Sequence, residues 1–213
     1  MSSQASRSAP SETGRKTQRA IEAACHALIA AERELTELDR ITGDGDLGAS
    51  MERGAKAIEG AIGSYPLDDL PATLKALGHT LRRELGGSSG PLYGVLFLRC
   101  GSVLETAGPI GVEQWAQALE QGCQAISALG GAQPGDRTML DALVPFVKAL
   151  QSSETLRAAV EAAERGVEAT AQMKPHLGRS SYLGDRVLGH PDPGAKAVSI
   201  WLRAAVEALF VRA

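Results

Sequence analysis

Ser89-Gly-Pro-Leu-Tyr-Gly-Val-Leu-Phe-Leu-Arg-Cys-Gly-Ser-Val-Leu-Glu-Thr106 is the stretch that decides the fold class. Leu92, Val95, Leu96, Phe97, Leu98, Val103 and Leu104 leave almost no polar face. The stretch reads as a helix, and one apolar nearly all round is expected at the centre of a packed protein. Just upstream, about Leu70 to Leu85 places Leu74, Leu77, Leu81 and Leu85 on one stripe. Further out, about Thr17 to Asp39 repeats Ile21, Ala24, Cys25, Leu28, Leu35 and Leu38 at helical spacing, broken only by Glu32. Helical segments are also expected from after Gly48 to Ile62, Val112 to Leu129, Thr138 to Leu150, Ser153 to Met173 and Gly194 to Val211. That makes eight helices and no strand. Most connections are short, and short loops make antiparallel neighbours. The expectation is an all-α, up-and-down barrel or bundle of eight helices.

Composition agrees. The chain has 213 residues, 44% hydrophobic and 22% charged, with only 4% aromatic. That length suits one domain with a full core, and a core of Ala and Leu favours helices over sheets. A Ser-rich segment, Met1 to Gly14, reads as a disordered tail rather than a secretory or organelle signal. Residues 15–213 read as a single domain. The net charge of −3 argues against a nucleic-acid protein. No apolar run reaches membrane-spanning length. Cys25, Cys100 and Cys123 form no CxxC pair and their odd number does not suit a disulfide framework. They read as buried thiols in a cytoplasmic protein.

Four connections are rich in Gly, Asp and Pro, and loops carry function more often than packed faces do. In Asp39-Arg-Ile-Thr-Gly-Asp-Gly-Asp-Leu-Gly48, Asp39, Asp44 and Asp46 converge. Two carboxylates about 4 Å apart repel by roughly 4 kcal/mol at an effective dielectric near 20. Three together call for a cation, and hard oxygen ligands with open positions suit Mg²⁺. The next helix begins at Gly48-Ala49-Ser50, whose N–H groups are placed for phosphate oxygens. The alternatives are a turn with exposed acids or a Ca²⁺ loop, although the EF-hand pattern fails here. Gly86-Gly-Ser-Ser-Gly-Pro91 can bring amides near an anion, or Ser89 can be a plain N-cap. In Pro134-Gly-Asp-Arg-Thr-Met-Leu-Asp141, Asp136 is a candidate helix cap and Met139 either apolar surface for a base or an ordinary core residue. Gly178-Arg-Ser-Ser-Tyr182 and Gly189-His-Pro-Asp-Pro-Gly194 belong to a long polar loop, uncommon without a task. Arg179 there can meet a phosphate in fork geometry, whereas a lone His190 reads as structural.

In order and spacing, these four segments resemble the ADP-binding subunit of bacterial dihydroxyacetone kinase over nearly the whole chain after about residue 15. The resemblance implies an eight-helix barrel with nucleotide, ADP or ATP, at one end. It implies that Asp39, Asp44 and Asp46 hold two Mg²⁺ ions and, with Arg179, serve catalysis. Leu47, Gly48, Ala49 and Ser50 would line the nucleotide site with Ser88 and Ser89. Gly130, Met139, Arg179 and the Asp192-Pro193-Gly194 turn would complete it. Leu47 stands where the family often has His, so a phosphate contact there falls to the backbone N–H.

The resemblance also implies a partner, a dihydroxyacetone-binding kinase subunit that carries the ketose on a histidine. The donor is either ATP or an ADP cofactor recharged by a phosphohistidine carrier of the phosphotransferase system. Substrates open to it are dihydroxyacetone and related short ketoses such as tetruloses. A reading of a different class is a non-catalytic regulatory module.

Overall fold

Helix caps set the frame. In the computed structural model, which describes residues 10–152 and 154–210, Ser11 caps helix α1 (Glu12–Ala30) by accepting from the Gly14 N–H at 3.2 Å. Asp68 in turn accepts from the Ser11 N–H at 2.9 Å. Asp69 caps α4 (Leu70–Glu84) through the Ala72 N–H, and Thr155 caps α8 (Leu156–Thr170) through the Ala158 N–H. Side-chain oxygens of this kind satisfy amides that the helix itself leaves unpaired. The other helices are α2 (Glu32–Thr42), α3 (Leu47–Ala61), α5 (Ser89–Glu105), α6 (Val112–Gly130), α7 (Leu140–Gln151) and α9 (Pro193–Phe210). No strand occurs among the described residues.

Consecutive helices pack side by side, and α9 returns to pack on α1 and α2. The result is a closed, up-and-down ring of eight staves, the first made of α1 and α2 together. The expected Thr17–Asp39 helix is thus one stave with a jog at Ala31 (φ −90°, ψ 3°). The jog lets α2 lie close on α3, where a Cβ on Gly48 would stand 2.1 Å from the Glu32 carbonyl. The helix starts at Glu12, so residues 12–14 of the expected tail are helical; residues 1–9 lie outside the described residues. Likewise the seventh expected helix contracts to Leu156–Thr170, and Ser153 and Val211 lie outside the described residues.

The expectation of a central α5 is corrected. A ring has no central helix. Leu96, Cys100 and Leu104 of α5 are buried, while Gly94 and Gly101 face α4. A Cβ on Gly101 would meet the Pro71 carbonyl at 2.7 Å, and one on Gly78 of α4 would meet the Gly94 carbonyl at 3.0 Å. On the other flank, Leu92 lies 3.5 Å from where Gly130 of α6 would carry a Cβ. Three apolar faces therefore serve the interior and two neighbours. The helix with most of its residues buried is α7, including Leu140, Leu143, Phe146 and Val147.

Inside the ring lies an apolar cavity of about 850 Å³, lined by residues such as Leu77, Leu81, Phe97, Leu119 and Leu202. Burial pushes the thiols of Cys25, Cys100 and Cys123 up to about 12, and all three are free. Among the described residues no helix is long and apolar enough to cross a membrane.

The α7–α8 contact is the tightest test of this packing. A Cβ on Gly166 would fall 2.0 Å from the Asp141 carbonyl, whereas one on Gly60 would meet nothing within 4 Å. Gly166→Ala is expected to cost about 1–3 kcal/mol, lowering Tm by roughly 3–10 °C. Gly60→Ala, in an exposed helical position, should leave Tm unchanged or raise it slightly through helix propensity. Calorimetric melting of both variants checks the pair.

Candidate metal and phosphate site

Alternation of helix direction decides where the loops meet. The C-terminal ends of α2, α4, α6 and α8 and the N-terminal ends of α3, α5, α7 and α9 share one end of the ring. All four loops singled out by the sequence lie at that end.

Asp39 sits in the last turn of α2, and the Gly43 N–H closes that turn on its carbonyl at 2.6 Å. Gly45 takes a left-handed φ of 77°, and a Cβ there would stand 2.6 Å from Arg40 Cγ. Gly45 is thus required by the fold of the loop. The turn returns Asp44 and Asp46 onto Asp39, and one carboxylate oxygen of each lies within 4.8 Å of the others. Asp39 is buried; the other two are exposed.

Asp39 does more than the sequence indicates. Its Oδ2 accepts from the Asp46 N–H at 2.9 Å and the Leu47 N–H at 3.1 Å, tying down the start of α3. The Leu47 N–H, expected to face phosphate, is held here by Asp39. Its other oxygen, Oδ1, is kept clear by Gly43, whose Cβ would lie 2.4 Å away. The donor set fits a hard divalent cation: one buried, braced carboxylate and two exposed ones, with an open side.

Arg179 is the protein's own cation at this cluster. Its guanidinium pairs with Asp44, and Nη2 lies 3.6 Å from Asp46 Oδ2. Nη2 also lies 3.6 Å from where Gly87 would carry a Cβ, so the glycine loop stands beside it. Gly87 itself has a left-handed φ of 57°. The loop is held by Ser50, whose Oγ accepts from the Gly86 N–H at 2.9 Å and from Arg53 Nη2 at 3.3 Å. Arg53 Nε donates to the Glu84 carbonyl at 2.9 Å. Ser50 is buried and positions this loop, a role that the phosphate reading did not foresee.

The N-cap residues of α3 and α5, Asp46 and Ser88, make no side-chain cap hydrogen bond of their own, and on α3 Asp39 takes only the Asp46 and Leu47 amides. Amides without a capping side chain at a helix N-terminus attract anions. Gly48 and Ala49 on α3 and Ser88 and Ser89 on α5 supply this surface. Gly48 is also a packing residue, pressed on α2. Gly130, at the end of α6, is exposed beside Leu92.

A second group assembles around Met139 and the start of α9. Met139 is buried, and its N and Cβ lie 3.8 and 3.9 Å from where Gly194 would carry a Cβ. Pro193 opens α9, a position suited to its fixed φ and missing N–H. Asp192 is buried, and its Oδ1 accepts from the Ala195 N–H at 2.7 Å. Burial pushes its carboxyl up to about 6, opposed in part by backbone hydrogen bonding and by Arg137. Asp192 thus acts as a helix cap. Asp136 does not cap α7: its Oδ2 accepts from the Gln133 N–H at 2.8 Å. The loop is drawn together by Asp141, which accepts from Gly135 and Thr138. His190 contributes its backbone carbonyl to Arg137. Arg137 and Thr170 were missed by the sequence reading, although Arg137 lies inside a quoted motif.

Residues 41–207 match the DAK2 domain family. The chain is 37% identical over 188 residues to the PEP-dependent dihydroxyacetone kinase, ADP-binding subunit DhaL, of Escherichia coli, covering 84% of this chain and 90% of that one. It is 38% identical to a putative 3,4-dihydroxy-2-butanone kinase of Solanum lycopersicum, covering 93% of this chain but 36% of that protein. The fold is similar to the crystal structure of the dihydroxyacetone kinase from C. freundii in complex with AMP-PNP and Mg²⁺, with a TM-score of 0.77 and 30% identity. That match covers 97% of this chain and 36% of the other, so the chain spans about a third of the longer relatives.

Removing the protein's own cation should expose the carboxylate repulsion. In metal-free buffer Arg179→Gln is expected to lower Tm by about 2–4 °C, the effect of roughly 1 kcal/mol for half-exposed charges. Mg²⁺ should then raise Tm more in this variant than in the parent, and an equal rise would contradict the reading. A second outcome concerns Asp192. Its raised carboxyl makes the folded state bind a proton that the unfolded chain releases between about pH 4 and 6. The parent should therefore gain stability relative to Asp192→Asn as pH falls from 7 to 5. Urea melts at both pH values read this directly.

Proposed function

The chain belongs to the DAK2 domain family, and on that premise we propose that it is the nucleotide-binding unit of a kinase that phosphorylates a hydroxyl of a short ketose. The observation that carries the reading is the meeting of three carboxylates within 4.8 Å, Arg179, and the N-termini of α3 and α5 at one end of the ring.

The chemistry asked of these residues is positioning and charge neutralisation, because the phosphoryl group in flight carries charge on its oxygens. Asp39, Asp44 and Asp46 would hold Mg²⁺, two ions in the fuller form of the proposal. When bound, the metal neutralises charge on the terminal phosphates. Asp39 stays fixed because it also binds two amides. Arg179 is exposed enough to leave Asp44 for a phosphate oxygen, and the fork of its guanidinium suits that oxygen pair. Gly48, Ala49, Ser88 and Ser89 offer amides and hydroxyls to the remaining oxygens. Met139, Gly130 and Gly194 would receive the base.

The acceptor ketose is assigned to a partner that binds it, either a separate subunit or another domain. The near full-length likeness to a protein named an ADP-binding subunit supports this division. Dihydroxyacetone is the first substrate to test, with tetruloses and other short ketoses next. ATP is one candidate donor; the other is a phosphohistidine carrier that recharges bound ADP. We place this activity in the cytoplasm, where free thiols stay reduced.

The test is to denature purified protein, assay the supernatant for nucleotide, and titrate the native protein with Mg-ATP. Near-stoichiometric ADP in the supernatant supports the recharged cofactor; exchangeable Mg-ATP supports the ordinary donor. With the ketose-binding partner present, Asp44→Asn should lose phosphoryl transfer by about 10²–10³-fold while still forming the complex. No nucleotide by either method sinks the kinase reading and leaves a non-catalytic interaction module in its place.

A further inference from the structure

Arg137 is buried to 1% exposure and has a left-handed backbone, φ 61°, the one positive φ of a non-glycine among the described residues. That conformation costs a residue with a side chain about 1–2 kcal/mol. Burying a guanidinium costs several more unless hydrogen bonds replace its water. Both costs are borne at one position, within two residues of Met139.

Its contacts say what it holds. Nε donates to the Thr170 carbonyl at 3.2 Å. Nη2 donates to the His190 carbonyl at 2.8 Å, with Pro191 at 3.4 Å and Val187 at 3.5 Å. One arginine thus joins the end of α8 to the segment that leads into α9. Thr170 completes the junction: its Oγ1 accepts from the Asp192 N–H at 2.7 Å and donates to the Val167 carbonyl at 2.5 Å. The turn carrying Arg137 is braced by Asp141, which accepts from the Gly135 N–H at 2.5 Å and the Thr138 N–H at 2.8 Å.

We propose that Arg137 and Thr170 are positioning residues: a buried clamp that fixes Met139 beside the Pro193-Gly194 turn and so holds in place the surface that receives the nucleotide base. The proposal rests on the nucleotide reading of the preceding section. Arg137 sits two residues before Met139 and binds the segment that leads into Pro193 and Gly194. Neither clamp residue contacts the acidic cluster through any of these bonds. Loosening the clamp should therefore weaken nucleotide binding without disturbing the phosphate chemistry.

Thr170→Val removes the hydroxyl and keeps the shape; Thr170→Ser keeps the hydroxyl. Arg137→Lys keeps the charge and loses the fork. Calorimetric titration with Mg-AMP-PNP, thermal melting without ligand, and kcat at saturating Mg-ATP with the partner are read on all three and on the parent. Thr170→Val and Arg137→Lys should weaken Mg-AMP-PNP about tenfold, roughly the value of one buried hydrogen bond. Their kcat should stay within about twofold, and Thr170→Ser should match the parent. Unchanged affinity in a folded Thr170→Val overturns the proposal even if its Tm falls, since the clamp is then only structural. A fall in kcat matching the loss in affinity also overturns it. Should Arg137→Lys not fold, the two Thr170 variants decide. A parent that binds no nucleotide removes the kinase reading itself, a result separate from any difference between variants.

Discussion

Three carboxylates whose oxygens lie within 4.8 Å of one another need positive charge among them, and the arrangement at this end of the molecule follows from that need. Repulsion at such distances reaches kilocalories per mole even with solvent screening. The protein meets it in two ways. Asp39 is buried and gives one oxygen to the amides of Asp46 and Leu47, so part of its charge is met by the start of α3. Asp44 and Asp46 are exposed and lean on Arg179, from a loop more than a hundred residues away in sequence. On the proposed function, a cation bound among these acids would replace the arginine as their counter-charge. The acids would not have to move far, because Asp39 is fixed from behind.

That balance depends on backbone approaching backbone more closely than side chains permit. Gly43 leaves room for Asp39 Oδ1, and Gly48 brings α3 onto the Glu32 carbonyl. Gly166 does the same for α8 against Asp141. The last contact lies under the turn that holds Arg137 and Met139. Helix packing and site geometry are therefore the same problem here: a methyl group placed at α8 presses on the residue that braces the nucleotide end. The interior differs. Buried side chains such as Leu96, Ile126, Leu143 and Leu202 join in one apolar cluster, with a cavity of about 850 Å³ beside them.

Helical periodicity made the fold legible because leucines recur along each stave and the loops are short. It overstated α5, since an all-apolar helix looks the same in sequence whether it is surrounded or only flanked. It also missed the jog at Ala31, where one residue changes direction without any glycine or proline to mark it. At the site, the aspartates were legible because clustered acids have few cheap explanations. The capping work of Asp39 was not, because it depends on which amides a folded loop turns toward it. Asp192 was read as lining the nucleotide site, and its second role, a carboxylate that caps α9, was not legible. Arg137 was hidden for a physical reason: an arginine in a polar loop is ordinarily exposed, and only the fold shows four carbonyls converging on it.

The two halves of the site are held by different forces, and the difference has a function. Around the acids, Asp39 is buried, but Asp44, Asp46 and Arg179 are exposed and meet only through their side chains at the surface. Around Met139 and Gly194, the groups that fix the backbone are mostly buried, with Arg137 Nε and Nη2, Thr170 and Asp192 hydrogen-bonded and Arg137 Nη1 left without a partner. A buried network leaves little freedom, because each unpaired group would cost its full desolvation. A nucleotide bound across such a site would be anchored at its base while its phosphates meet adjustable charge. If the proposed transfer to an acceptor on a partner takes place, that combination suits it, since the terminal phosphate would have to meet the partner while the rest of the donor stays in place.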